Sequence, residues 1–160
     1  MDDGSEIVIY PVIENLNDNR ISYNKLDHKN ANIARNYGIE KSKGQYIAML
    51  DADDLWLNNH ISECLRILQH SDYVDGLYGS LILKDMNRDD ERIVHVRALH
   101  EEESMIDYLL STGYGAQTST LFMTAESAQS VLWNPELNRH QDYDFVVRYS
   151  KRYNFIPKTE

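Results

Sequence analysis

The most informative part of the chain is residues 45–56, which run Gln45-Tyr46-Ile47-Ala48-Met49-Leu50-Asp51-Ala52-Asp53-Asp54-Leu55-Trp56. An apolar run followed at once by three carboxylates predicts a buried strand that ends in an acidic turn. In open α/β sheets, ligands bind at the carboxyl ends of the strands. Residues 51–54 are therefore the first candidate for a functional site.

Asp51 and Asp53 are separated by one residue, so both carboxylates can turn toward one hard cation at the strand end. Oxygen ligands of this kind suit Mg²⁺ or Mn²⁺, which take their remaining ligands from water and substrate phosphates. Two other interpretations stay open. Asp53 or Asp54 could cap the following helix, or the pair could be a phosphatase-type Asp-x-Asp nucleophile, although the threonine expected shortly afterwards is absent.

The composition is that of one globular domain with a single core, at 160 residues, 42% hydrophobic and 26% charged. A net charge of −10 without a basic stripe argues against a nucleic-acid partner. Cys64 is the single cysteine, so an internal disulfide is excluded, and its apolar helical surroundings predict a core residue. With no run of membrane-spanning length and no signal peptide, we expect a cytoplasmic protein.

Alternating strand and helix patterns predict an α/β fold with a mainly parallel sheet flanked by helices. Helices are predicted over residues 6–17, 31–42, 57–68, 102–111, 125–132 and 142–149, and strands over residues 20–26, 45–50, 73–83, 92–99 and 118–123. Pro11 either kinks the first helix or lies in the first turn of a helix that starts later. Asn30 is predicted to cap the second helix, and polar loops are predicted at residues 27–30, 87–90 and 113–117.

Asp142 precedes an apolar pattern made by Phe145, Val146 and Tyr149, which recur at helical spacing. This pattern places Asp142 at the start of a helix whose body lies in the core. One interpretation is that Asp142 is an N-cap. The other is that it acts as a general base, because a carboxylate held rigidly at a helix start is well placed for proton transfer.

Five motifs then combine into a family resemblance: Asp2-Asp3-Gly4-Ser5, Ala34-Arg35-Asn36-Tyr37-Gly38-Ile39, Gly44-Gln45-Tyr46-Ile47, Leu50-Asp51-Ala52-Asp53-Asp54-Leu55-Trp56 and Gln141-Asp142-Tyr143-Asp144-Phe145. In this order and spacing, they resemble the family-two inverting nucleotide-sugar glycosyltransferases of the GT-A fold. The resemblance covers nearly the whole chain. It implies one domain over residues 1–160, with a nucleotide-binding part at residues 1–70 and an acceptor and catalytic-base part at residues 71–160.

The resemblance also implies a donor site. Asp2 and Asp3 would contact the uracil or ribose of a UDP-sugar, and Arg35 would be an adjacent nucleoside contact. Asp51 would face the ribose, and Asp53 would bind the Mg²⁺ or Mn²⁺ ion that bridges the diphosphate. The implied acceptor is a saccharide or a lipid-linked saccharide, which is compatible with a peripheral position at the inner face of a membrane.

For Asp142 the resemblance implies the role of catalytic base. It would take a proton from the acceptor hydroxyl, which attacks the anomeric carbon opposite the leaving diphosphate, so that one displacement inverts the configuration. The family more often has an acid at the position of Gln141. Glutamine can still hydrogen-bond an acceptor, so this difference is compatible with activity.

Members of the family open with a strand and a helix before the Asp-Asp-Gly-Ser turn, and their absence here corresponds to about 30 residues. We therefore expect an N-terminally truncated domain in which Met1 is an internal methionine. The missing strand would leave neighbouring backbone groups unpaired, which favours a homodimer through the open sheet. Two alternatives remain, namely an inactive remnant that serves as a nucleotide-binding or interaction module, and a metal-dependent phosphohydrolase.

Overall fold

The computed structural model describes residues 1–27, 30–85, 87–88, 90–113 and 115–159. The helices are α1 (Tyr10–Asn15), α2 (Ala31–Lys41), α3 (His60–Gln69), α4 (Met105–Thr112), α5 (Ala125–Val131) and α6 (Gln141–Ser150). The strands are β1 (Tyr46–Ala48), β2 (Gly76–Gly79), β3 (Leu81–Asp85), β4 (Asp90–Val94), β5 (Phe122–Thr124) and β6 (Phe155–Lys158).

Four of the strands form the main sheet, in the order β1-β5-β2-β6. Strand β5 is antiparallel to both β1 and β2, whereas β2 and β6 are parallel. Strands β1, β2 and β6 therefore run in one direction, with β5 inserted against it. Strands β3 and β4 form a separate antiparallel pair. The predicted α/β fold, a mixed sheet flanked by helices, is confirmed.

Successive residues of the sheet contribute to two cores on its opposite faces, as strand geometry requires. Leu77 and Phe122 pack with Cys64 and Leu68 of α3 on one face. Their neighbours in sequence, Tyr78 and Met123, belong to the larger core, which also contains buried side chains of α2, α4, α5 and α6. Cys64 is fully buried, as predicted, and burial raises its pKa to about 11.

Helix starts agree with several sequence signals. Helix α1 begins at Tyr10 with Pro11 in its first turn, which confirms the later of the two predicted starts. Asn30 caps α2 by accepting a hydrogen bond from the backbone N–H of Ile33 at 2.9 Å. The capping interpretation of Asp53 or Asp54 is wrong, because α3 begins only at His60, with Asn59 as its N-cap.

The strand predictions are wrong at positions where side-chain hydrogen bonds or contacts with distant residues determine the backbone conformation. Residues 118–120 form a 3₁₀ helix rather than part of a strand, and the hydroxyl of Thr120 donates to the carbonyl of Gln117 at 2.8 Å. Such local hydrogen bonds compete with a strand ladder. The predicted strand over residues 73–83 is interrupted at Ser80, where the chain passes from β2 to β3. Residues 20–26 make only one bridge, between Asp2 and Lys25.

Strand β6 was not predicted at all. It contains Pro157 and pairs with β2 at the edge of the sheet, where a missing backbone donor is tolerated. Parts of the three predicted loops, namely residues 28–29, 89 and 114, lie outside the described residues. Within the described ranges, no helix combines the length and apolar character needed to cross a membrane.

The close packing of β2 against α6 gives a test of the fold. A Cβ atom on Gly76 would lie 2.6 Å from the hydroxyl oxygen of Tyr149 and 3.0 Å from Cγ of Met123. We expect Gly76→Ala to lower the free energy of unfolding by about 1–3 kcal/mol, as overpacking does. Urea denaturation measures this. Gly79→Ala, on the same strand, is the control, because its Cβ would meet Thr120 at an ordinary 3.5 Å. Equal effects of the two substitutions would contradict the packing.

The ion pair between Arg97 and Glu103 predicts a pH dependence. Both guanidinium nitrogens donate to the carboxylate, at 2.6 and 2.8 Å, and the backbone N–H of His100 donates at 2.8 Å. These bonds, that with Arg97 foremost, lower the Glu103 pKa from 4.5 to about 2. A carboxyl whose pKa is lower in the folded state contributes stability above its unfolded pKa, and this contribution is lost as the pH falls through the folded pKa.

We therefore expect Glu103→Gln to destabilise the protein most above pH 4.5, and its difference from the wild type to shrink between pH 4.5 and about 2. Urea unfolding at a series of pH values measures this difference. The neighbouring exposed Glu101, changed to Gln, is the matched control. A difference that stays constant through the acidic range would show that the ion pair does not stabilise the fold.

Candidate active site

Two of the predicted site carboxylates, Asp51 and Asp142, line the same cavity, which has a volume of about 280 Å³. Asp51 lies three residues beyond the end of β1, and Asp142 is the second residue of α6. The other side chains around the cavity are polar or charged: Arg35, Gln117, Thr118, Asn138, Arg139, His140 and Gln141. Residues 91 positions apart in sequence thus converge on one polar depression.

Asp51 is held in place by the 3₁₀ helix at residues 118–120. Its backbone N–H donates to the hydroxyl of Ser119 at 2.9 Å, and the indole N–H of Trp56 donates to the Ser119 carbonyl at 2.8 Å. The Asp51 side chain forms an ion pair of 2.8 Å with Arg35 and remains 36% exposed. One carboxylate oxygen is thus engaged by the protein while the group as a whole stays accessible to a ligand.

Asp142 lies in the first turn of α6, and the helix is anchored by the buried side chains of Phe145, Val146 and Tyr149, as predicted. The capping interpretation of Asp142 is wrong, because His140 is the N-cap residue and makes no side-chain capping bond. The Asp142 carboxylate accepts only the backbone N–H of Tyr143, at 3.0 Å, among the described residues. Within the described ranges, no other protein group occupies this carboxylate.

His140 and Arg139 were not singled out as site residues by the sequence. His140 has φ 53° and ψ 34°, a left-handed conformation that non-glycine residues rarely adopt and that costs about 1–3 kcal/mol. Arg139 lines the cavity and makes no ion pair with any described residue. Its positive charge offsets part of the negative charge that Asp51 and Asp142 bring to the cavity.

Arg35 connects the two carboxylate-bearing elements. From α2, its guanidinium donates to Asp51 at 2.8 Å and to the side-chain carbonyl of Gln141 at 3.1 Å. The group also lies over the ring of Trp133, 4.6 Å from its centroid. Arg35, the predicted nucleoside contact, is thus bound by protein partners on three sides.

Asp53 is exposed and does not line the cavity. Among the described residues, no group of three or more His, Cys, Asp or Glu side chains could hold a metal ion. A magnesium ion that is shared with phosphates needs only one or two protein carboxylates. Asp53 makes no ion pair within the described part of the chain, and only Ala52 separates it from Asp51 in the sequence.

Asp2 and Asp3 do not line the cavity of Asp51 and Asp142. Asp2 is 6% exposed, and its carboxylate accepts hydrogen bonds from the hydroxyl of Tyr23 and, at 2.8 Å, from the backbone N–H of Ser5. These two bonds, that of Tyr23 foremost, lower its pKa to about 2. In this structure the Asp2 carboxylate fixes the turn at residues 2–5.

A larger depression of about 810 Å³ lies between α1 and residues 16–23. Its acidic side chains are Glu14 and Asp18, and Asp18 is paired with Arg20 at 2.5 Å. It brings together none of the predicted site residues. The smaller cavity is the better candidate for an active site, because Asp51 and Asp142 both line it.

The chain is similar in sequence to known glycosyltransferases. The family described as Glycosyl transferase family 2 matches residues 1–127. The amylovoran biosynthesis glycosyltransferase AmsB of Erwinia amylovora is 30% identical over 122 residues, which cover 74% of this chain and 40% of AmsB. An uncharacterized glycosyltransferase of Haemophilus influenzae is 28% identical over 151 residues, or 92% of this chain and 57% of that protein.

A third relative, the UDP-Glc:alpha-D-GlcNAc-diphosphoundecaprenol beta-1,3-glucosyltransferase WfaP of Escherichia coli, is 36% identical over 69 residues, or 42% of this chain and 28% of WfaP. The chain thus spans between 28% and 57% of the length of these three relatives. The family match includes Asp51 and Asp53 and ends before Asp142. Because that match extends over residues 1–127 of 160, the chain belongs to glycosyl transferase family 2.

Proposed function

We propose that this chain is the catalytic domain of an inverting glycosyltransferase, which moves a sugar from a nucleotide-diphosphate donor to an acceptor hydroxyl in glycan or polysaccharide synthesis. The observation that carries the proposal is the convergence of Asp51 and Asp142 on one cavity. The amylovoran biosynthesis enzyme among the relatives supports polysaccharide synthesis as the process.

In the proposed reaction, the Asp142 carboxylate acts as the general base. It accepts the proton of the acceptor hydroxyl, whose oxygen forms a bond to the anomeric carbon of the donor sugar. The bond between that carbon and the diphosphate oxygen breaks, its electron pair leaves with the nucleoside diphosphate, and the configuration is inverted. General-base assistance of this kind is worth about 10²–10⁴-fold in rate.

On the donor side we propose that Asp2, Asp3, Arg35 and Asp51 form the nucleoside and ribose site, and that Asp53 holds Mg²⁺ or Mn²⁺. A bound divalent ion would offset charge on the leaving diphosphate. The Asp53 carboxylate is exposed and makes no ion pair with a described residue, which supports this assignment.

The acceptor we propose is a saccharide, free or lipid-linked. WfaP, by its name, uses UDP-glucose and a diphosphoundecaprenol-linked saccharide, which supports UDP-sugars and lipid-linked acceptors for this chain. Such an acceptor would place the reaction at the cytoplasmic face of a membrane. Strand β1 lies at the edge of the main sheet, which supports a homodimer through that edge.

Donor binding is tested by calorimetric titration of UDP in the presence and absence of Mn²⁺. We expect metal-dependent binding, and we expect Asp53→Ala to weaken it by at least about tenfold, equivalent to about 1.4 kcal/mol. Asp72→Ala, which removes the same charge from another exposed aspartate, should leave binding unchanged. Absence of UDP binding under every condition would instead favour the inactive-remnant alternative.

The role of Asp142 is tested by Asp142→Asn, which keeps the size of the side chain and removes its basicity. We expect turnover of UDP-glucose with a GlcNAc-diphospholipid acceptor to fall by about 10²–10⁴-fold, because the proton acceptor is lost. The affinity for UDP should stay the same. Asp144→Asn, in the same turn of α6, is the control. Wild-type turnover in Asp142→Asn would rule out this carboxylate as the base.

A further inference from the structure

Helix α2 holds the segment that leads into α6 through a row of amide side chains. The side chain of Asn32, fully buried, donates to the backbone carbonyls of Asn134 at 2.7 Å and Leu137 at 3.1 Å. Asn36 and the backbone of Trp133 exchange two hydrogen bonds, at 2.7 and 2.8 Å. The path of residues 133–137 is therefore fixed by α2.

Arg35 lies within this row and is bound on three sides. Its nitrogens donate to Asp51 and Gln141, and its guanidinium carbon lies over the Trp133 ring, 4.6 Å from the ring centroid. The Trp133 ring in turn stacks on Phe145 of α6, with 4.5 Å between the ring centroids and an angle of 11° between the ring planes. The indole N–H of Trp133 has no hydrogen-bond partner in the described part of the chain. The Trp133 ring is thus held by stacking, with Arg35 on one face.

We infer that Arg35 is a positioning residue that fixes the catalytic-base turn of α6 relative to the donor-side carboxylate. Gln141 is the first residue of α6 and directly precedes Asp142, so a guanidinium bound to both Gln141 and Asp51 sets the separation of the two carboxylates. Any ligand contact that changes Asp51 acts on Asp142 through this group. The inference rests on the proposed function for the role of Asp142 as the base. The coupling of Asp51 to Gln141 through Arg35 needs no substrate.

The coupling is tested by amide hydrogen exchange in the whole chain, with Arg35→Lys, Asp51→Asn and the double variant. Lysine keeps the charge but lacks the planar fork that binds two partners at once. We expect Arg35→Lys to speed exchange of the amides of residues 144–147, which donate hydrogen bonds in the first turns of α6, by about tenfold or more, with β2 unchanged. Asp51→Asn should also speed these amides, and the double variant should add nothing to Arg35→Lys.

Arg66→Lys is the matched control, since Arg66 also pairs with a carboxylate, Glu63, but on α3. Should Arg35→Lys fail to fold, Gln141→Met removes the link from the side of α6, together with the bond from Gln141 to the Leu137 carbonyl, and should give at least the same acceleration. Additive effects of Asp51→Asn and Arg35→Lys, or unchanged exchange at residues 144–147, would overturn the inference.

Steady-state kinetics distinguish a positioning role of Arg35 from a role in donor binding alone. A positioning role predicts that Arg35→Lys lowers kcat more than it raises KM for the donor, whereas a nucleoside contact alone predicts a higher KM with kcat unchanged. Of these two kinetic patterns, the second would count against the inference. Because exchange needs no substrate, a chain that fails to bind UDP would disprove the proposed function while the exchange experiment still decides the coupling.

Discussion

The antiparallel insertion of β5 between β1 and β2 is the constraint on which the candidate active site depends. Its pairing with β1 continues through the bond from the N–H of Met49 to the carbonyl of Leu121, at 3.1 Å. The 3₁₀ helix that precedes β5 is thereby brought beside the end of β1, where Ser119 binds Asp51. If β5 were elsewhere in the sheet, the acidic turn would have no fixed partner.

The second half of the site depends on polar contacts rather than on the sheet. Residues 133–137 are irregular, so their backbone groups need hydrogen-bond partners other than those of a helix or a sheet. Asn32 and Asn36 provide them from α2, and the apolar face of α6 then packs into the core behind. The first turn of α6, which carries Asp142, is therefore held between the amide side chains of Asn32 and Asn36 and an aromatic core.

The parts of the fold that the sequence predicted are those governed by local rules. The cap at Asn30, the start of α1 near Pro11 and the buried face of α6 follow from backbone chemistry and helical periodicity. The direction of β5, the edge strand β6 and the 3₁₀ helix at residues 118–120 depend on partners distant in the chain or on hydroxyl side chains. No local pattern distinguishes them from an ordinary parallel strand or a loop.

The difference between local patterns and long-range contacts also explains which residues of the candidate site the sequence predicted. Asp51 and Asp142 stood out because carboxylates at the ends of apolar runs are chemically conspicuous, whereas Asn32 forms its bonds with carbonyls 102 and 105 residues away. Asp2 shows the converse, since its acidic motif was conspicuous but its carboxylate is engaged by Tyr23 and Ser5.

Arg35 links the acidic turn after β1 to the first turn of α6. An ion pair alone would hold Asp51 to α2, and stacking alone would hold Trp133 there. A guanidinium does both and also has a nitrogen left for Gln141, because its donors point in fixed directions within one plane. An ammonium group on a flexible stem has no face to stack and no second fixed donor. The three contacts that Arg35 makes with Asp51, Gln141 and Trp133 therefore need a guanidinium, and not merely a positive charge.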